Sequence, residues 1–343
     1  MDTFVIAEIG VNHNGRVDLA LELVEVAHRA GAQAAKFQTF KADTVAVKRS
    51  AAVAYQTRTT GEASQHELLR RLELGEEEHR EIARRCRELG IEFMSTAFDG
   101  RSLDLLCDLG IRRIKVPSGE ITNTPYLVDC AERGLPIVLS TGMATLEEVA
   151  EAVAVVEGAW ARSGRRPSSD DALVVLHCTT AYPTPFEDVN LSAMTTMRTA
   201  LGKPVGYSDH TAGVFVPPLA VALGARVIEK HITLDRGMSG PDHAASIEPG
   251  EFAEMVSAIR AVEALMGDGV KAPRPLELEA RALVRRGLKA ARDMPAGTRL
   301  GPEDVAILRP ATGLPPSAFD ALLGRTTSTD LRAGDPIDAT SLS

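Results

Sequence analysis

Eight short apolar runs, each followed by a segment of helical periodicity, constrain this chain more than any other feature. The runs fall at 4–9, 32–37, 92–96, 113–117, 136–140, 173–178, 204–207 and 225–228. Between them, apolar residues recur at the three-to-four spacing of a helix face, as in Leu19, Leu23, Val26, Ala27 and Ala30. Glycine stops several of these helices, among them Gly31, Gly90, Gly110 and Gly134. Fully apolar strands alternating with helices predict a parallel sheet covered on its outer face. Eight such units within about 260 residues close naturally into a (β/α)₈ TIM barrel, an α/β fold. The alternative, an open doubly wound sheet, usually carries a G-x-G-x-x-G turn after its first strand, and none stands there.

The barrel is expected to span 1–266 as the catalytic domain. A polar, proline-bearing linker is expected over 267–284, and a small β-rich domain over 285–343. That tail contains an internal echo: Asp293 to Leu300 repeats as Asp330 to Ile337, each with Ala-Gly as a turn and an apolar residue three places on. A long polar insertion, 41–65, interrupts the barrel after its second strand. The formal net charge of -9 argues against a nucleic-acid or anionic-membrane surface, since both need a basic face. Four cysteines without a C-x-x-C pair, and no apolar run of membrane-spanning length, point to reduced thiols in a cytoplasmic enzyme.

In this fold the site lies at the carboxyl ends of the strands. Read in turn, those ends carry Glu8; Lys36 and Gln38; Thr96; Lys115 and Ser118; Ser140; Thr180; Ser208 and His210; and His231. Residues two apart share a face, so Lys36 with Gln38, and Ser208 with His210, point the same way. Two lysines among hydroxyls suit a phosphate. His210 and His231, at the ends of successive strands, can hold a divalent metal; two hydrogen-bonded core histidines are the alternative. Glu8 reads as an acid or base, a hydrogen-bond partner of a sugar hydroxyl, or half of a salt bridge. Asp242, in Gly240-Pro241-Asp242-His243, reads as a substrate or water ligand, or as a turn cap.

These residues carry a resemblance that runs nearly end to end. It rests on Ala7 to Gly15, Lys36-Phe37-Gln38-Thr39, Lys115 to Glu120, Leu139 to Met143, His177-Cys178-Thr179 with Tyr182 to Pro185, Tyr207 to Thr211, Glu229-Lys230-His231 and Gly240 to His243. The chain resembles the bacterial N-acetylneuraminate (sialic acid) and legionaminic acid synthase family. The resemblance implies a TIM barrel followed by an antifreeze-like (SAF, β-clip) domain. It implies a phosphoenolpyruvate-dependent synthase that makes a nonulosonic acid from an N-acetylated hexosamine. It implies that phosphoenolpyruvate binds through Lys36, Thr96, Lys115, Ser118, Ser140, Thr180 and Ser208, and that Mn²⁺ or Mg²⁺ sits on His210 and His231. Glu8, with those histidines, would be catalytic. Gln38, Tyr182 and Asp242 would meet the sugar, as would Arg309 from the partner of a domain-swapped homodimer. Two departures stand out: Thr180 where some members have Asn or Ser, and Gly287 where many have serine. The competing expectation is a Schiff-base aldolase using Lys115 or Lys230 as its amine. Discrimination between acceptor sugars is expected from the 41–65 insertion.

Overall fold

A computed structural model describes residues 2–45 and 64–343. The chain divides into two compact units, Met1–Gly267 and Asp268–Ser343. In the first, eight parallel strands close into a barrel in sequence order, β8 pairing back onto β1. They are β1 (Phe4–Gly10), β2 (Ala34–Thr39), β3 (Glu92–Ala97), β4 (Ile114–Val116), β5 (Ile137–Ser140), β6 (Leu173–His177), β7 (Val205–Asp209) and β8 (Val227–His231). The helices are α1 (Val17–Arg29), α2 (Ala42–Val45), α3 (Gln65–Leu72), α4 (Glu76–Leu89), α5 (Gly100–Asp108), α6 (Thr124–Glu132), α7 (Leu146–Ser163), α8 (Ser192–Leu201), α9 (Val216–Ala222) and α10 (Pro249–Met266). Among the described residues no helix is long and apolar enough to cross a membrane. All four cysteines are free thiols.

The two-residue period of the strands separates two cores. Outward residues such as Val5, Ala7, Phe37, Leu139, Val175 and Ile228 join the layer under the helices. Inward residues Ile6, Ala34, Met94, Val138, Val174, Leu176 and Val227 form a second cluster inside the barrel. Two residues further along the same inward face, apolar side chains give way to polar ones: Ile6 to Glu8, Ala34 to Lys36, Met94 to Thr96, Val138 to Ser140, Val227 to Glu229. The inside of the barrel is thus a dry plug with a polar mouth.

The last strand differs from its expected extent. The apolar run ends at Ile228, but β8 continues through Glu229 and Lys230 to His231. Its polar residues remain in the ladder because Glu229 pairs with Ser208, Lys230 with Asp209 and His231 with Glu8 on the neighbouring strands. The other face of this pair of strands carries a sealed ion pair, Lys230 Nζ to Asp209 at 2.6 Å, with a further bond from Lys230 to the Thr211 carbonyl.

In the second unit, the segment expected as a linker contains a helix, α11 (Pro275–Val284). Strands β9 (Gly287–Ala290) and β10 (Val305–Leu308) pair antiparallel. A short helix, α12 (Phe319–Leu322), precedes the last turns. A small core gathers Leu288, Met294, Leu300, Leu331 and Ile337. The echoed segments are a pseudo-symmetric pair. Met294 and Leu331 exchange backbone hydrogen bonds of 2.7 and 2.8 Å. Asp330 accepts from the Ala296 amide and Asp293 from the Ala333 amide, each at 2.8 Å. Each aspartate therefore caps the other copy's turn. Gly287 has a steric reason: a Cβ there would lie 2.1 Å from the Thr312 carbonyl oxygen, so a serine requires the backbone to shift. Arg309 is exposed, just after β10.

Candidate active site

A cavity of about 290 Å³ opens at the carboxyl ends of the strands. Every barrel residue expected in the site lines it: Glu8, Lys36, Gln38, Thr96, Lys115, Ser118, Ser140, Thr180, Tyr182, Ser208, His210, His231 and Asp242. Arg309 belongs to the second unit.

The two lysines stand on β2 and β4, on either side of Thr96 of β3. Lys115 donates to Ser140 Oγ at 2.8 Å, and Lys36 to Thr96 Oγ1 at 3.2 Å. Lys36 Nζ also meets Glu8 Oε2 at 2.5 Å. Gln38 Nε2 lies 3.5 Å from the other Glu8 oxygen. The Ser118 hydroxyl accepts from the Gly142 amide at 2.9 Å. Gly142 keeps this corner open: a Cβ there would fall 2.3 Å from Thr180 Oγ1 and 2.9 Å from Ser118 Oγ. Only glycine lets those two hydroxyls and the loop converge.

Glu229 was not assigned a role from the sequence, yet it is the hub of the floor. Its carboxylate lies 3.6 Å from both Lys36 and Lys115 and accepts from Ser208 at 3.0 Å. The available signal was parity: Glu229 is two residues before His231 and shares its face. Burial works against the Glu229 charge, but Lys115, Lys36 and the Ser208 hydroxyl together hold its pKa well below the usual carboxylate range. Glu8 goes the other way. Burial pushes it up, and repulsion from Glu229 adds to that, so the attraction of Lys36 only partly restores its charge. Two carboxylates within reach of one ammonium are thereby split into a fixed anion and a group that can exchange a proton near neutrality. Burial also lowers Lys115, while Lys36 is held above its ordinary value by Glu229 and Glu8 against the cost of burial. Asp242 is pushed up by burial to about 6.

The His210 and His231 rings lie 5.6 Å apart, centroid to centroid. Tyr182 packs on both, 4.2 Å from His210 and 5.7 Å from His231. His210 Nδ1–H donates to the Thr179 carbonyl at 2.6 Å, which leaves Nε2 with its lone pair. His231 Nδ1 is buried and has no hydrogen-bond partner among the described residues. Burial lowers both imidazoles, and His231 is lowered further by His210 and Lys36. Two neutral, adjacent imidazoles with an unsatisfied nitrogen are a donor set that fits a divalent cation. Among the described residues no third His, Cys, Asp or Glu joins them in a metal-binding group. Any cation here would take its remaining ligands from water or substrate.

Of the two amines considered for a Schiff base, Lys115 lines the cavity. Lys230 does not: it is locked to Asp209 on the opposite face of β8.

A closed parallel barrel with lysines, hydroxyls and a histidine pair gathered at one mouth defines a (β/α)₈ enzyme for a small, oxygen-rich anionic substrate. The chain belongs to the NeuB family, whose model matches residues 23–271, and a SAF domain model matches 285–343. It is similar to the N,N'-diacetyllegionaminic acid synthase of Legionella pneumophila, 49% identical over 97% of this chain and 93% of that protein. It is also similar to the N-acetylneuraminate-9-phosphate synthase of Homo sapiens, 34% identical over 97% of this chain and 91% of that one. Among solved structures it resembles the N-acetylneuraminic acid (sialic acid) synthetase of Leptospira borgpetersenii in complex with citrate. That match has 32% identity and a TM-score of 0.72, over 82% of this chain and 90% of that chain.

Proposed function

We propose that this chain condenses phosphoenolpyruvate with the open-chain aldehyde of an N-acetylated hexosamine, releasing phosphate and forming a nonulosonic acid. The acceptor class comprises N-acetylmannosamine and its 2,4-diacetamido-trideoxy analogue. The observation that carries the reading is one cavity holding the Lys36 and Lys115 ammoniums, the Thr96, Ser118, Ser140, Thr180 and Ser208 hydroxyls and the neutral His210–His231 pair. Its family membership supports the same reaction class.

The lysines and hydroxyls grip the phosphate and carboxylate of phosphoenolpyruvate. Glu229 keeps both ammoniums ionised and aimed before the substrate arrives. Tyr182, Gln38 and Asp242 orient the acceptor. His210 and His231 would hold Mn²⁺ or Mg²⁺, whose chemistry is Lewis-acid polarisation of the aldehyde oxygen. C3 of phosphoenolpyruvate bonds to the aldehyde carbon, whose oxygen takes up a proton, and positive charge develops at C2. Glu8, its pKa raised, accepts a proton from the water that adds at C2. Breaking the C2–O bond to phosphate then leaves the 2-keto acid, the proton of the C2 hydroxyl passing to the departing phosphate.

The active species is a cytoplasmic homodimer with exchanged C-terminal domains, in which Arg309 meets the acceptor's N-acetyl group. Phosphate release from phosphoenolpyruvate with each acceptor, and product mass, test the reaction; no release with any acylated hexosamine rejects it. A fully active monomer in solution rejects the exchange.

A further inference from the structure

The polar segment after β1, Asn12-His13-Asn14-Gly15, supplies none of the described residues that line the cavity. Asn12 is nevertheless buried. Its side-chain amide donates twice, to the Ile232 carbonyl at 2.9 Å and to Ser246 Oγ at 2.8 Å. Ser246, also buried, donates in turn to the Asp242 carbonyl at 2.7 Å. A second tie joins the same two segments. His243 Nε2 meets the Asn14 side-chain amide at 3.2 Å, and His243 Nδ1 meets Thr233 Oγ1 at 2.7 Å.

The available hydrogens fix the direction of the Asn12–Ser246–Asp242 chain. An amide nitrogen carries two and a serine hydroxyl one. Asn12 spends both, and Ser246 spends its own on Asp242 while accepting from Asn12 on a lone pair. An aspartate at position 12 could donate neither bond. The chain grips both ends of the loop between β8 and α10. One end is Ile232, next to His231, and the other is Ser246, shortly before α10. Asp242 needs that support, because it stands in no strand or α-helix. Among the described residues its carboxylate accepts no hydrogen bond, so its backbone alone aims it into the cavity. The bond from Ser246 is made to that backbone.

Resting on the condensation reading above, we infer that Asn12, acting through Ser246, is a positioning residue for Asp242, setting acceptor binding while leaving the phosphoenolpyruvate subsite alone. Ser246→Ala is the cleanest test. It cuts the link to Asp242 but leaves the Asn12–Ile232 bond, and with it the strand end that carries His231.

The experiment measures kcat and both KM values of the Mn²⁺-loaded full chain. The acceptor is whichever of N-acetylmannosamine and 2,4-diacetamido-trideoxymannose the wild type turns over. Ser246→Ala is expected to raise KM for the acceptor about 5- to 10-fold, the worth of one hydrogen bond, and to leave KM for phosphoenolpyruvate unchanged. Asn12→Ala is expected to raise the acceptor KM at least as far. The double variant should raise it by less than the product of the two single effects, because the two residues form one chain. Thermal melting checks that each variant is folded. An unchanged acceptor KM in folded Ser246→Ala overturns the inference. So does an equal rise in both KM values, which would mean general loosening of the mouth, or a double variant whose effect is the full product. If only one single variant folds, its two KM values decide; if neither folds, the joint is structural and the inference falls. Turnover of neither acceptor by the wild type rejects the condensation reading itself.

Discussion

Replacing Asp242 with asparagine should stabilise the barrel at neutral pH while removing activity. Asp242 is buried on the loop after β8, and burial lifts its carboxyl from 3.8 to about 6, opposed only in part by Lys36. A raised carboxyl binds its proton more tightly in the folded chain than in the unfolded one. It therefore favours folding below the unfolded value, and this contribution disappears as the pH rises through the folded value. Above about pH 6 the ionised side chain burdens the fold by about 3 kcal/mol, from a gap of about two pH units at about 1.4 kcal/mol each. The asparagine side chain would have nearly the same shape and no charge. The Asp242→Asn variant should gain up to about 3 kcal/mol at pH 8, or about 6 °C in Tm for a domain of this size. The gain should shrink to about 1 kcal/mol at pH 4.5, because the wild-type carboxyl is then mostly protonated in the folded state. Thermal unfolding followed by circular dichroism at the two pH values, without substrate or metal, measures both numbers. Equal stability of the two proteins at pH 8, or a gain of the same size at both pH values, would refute the reasoning. Retained phosphate release would show that the carboxylate is not needed for the acceptor, against the role proposed for it above.

Other perturbations separate structure from chemistry. Lys230→Met strands Asp209 in a sealed site and should cost about 3–5 kcal/mol in unfolding experiments; a loss below about 1 kcal/mol would contradict the buried pair. Borohydride with pyruvate should leave the intact mass unchanged, and a stable adduct at Lys115 would favour the Schiff-base route instead. Chelation should abolish phosphate release and added Mn²⁺ restore it, while His231→Ala should remain folded and fail to recover; full turnover in metal-free buffer would rule out the cation. Asp293→Ala and Asp330→Ala each remove one reciprocal turn cap and should cost the C-terminal unit about 1 kcal/mol, nearly equally, in its own melting transition.

How much of this was legible in the sequence depends on whether the signal was local. The barrel was legible because a strand buried on both faces must be apolar throughout, and eight such runs stand out without any knowledge of contacts. The polar mouth followed from the end of each run, which is why Lys36, Lys115, Ser140 and His231 could be placed at the cavity they line. Glu229 escaped for the same reason that those succeeded. Ending the last strand at the final apolar residue, Ile228, placed Glu229 in a loop, where parity says nothing. Once β8 runs to His231, Val227, Glu229 and His231 become one inward row, with the carboxylate facing both lysines. The apolar side of the cavity, lined by the leucines of α3, was illegible for a different reason. Leu68, Leu69 and Leu72 carry ordinary helical periodicity, and nothing in that pattern distinguishes a helix that covers a core from one that lines a substrate cavity. Discrimination was expected from the 41–65 insertion, most of which, 46–63, lies outside the described residues. The described flank that does reach the cavity, Val45, Gln65 and the α3 leucines, is mostly apolar. A polar stretch of sequence therefore ends, in its described flank, on an apolar edge of the cavity, because the three leucines of α3, its only apolar residues, all line that cavity.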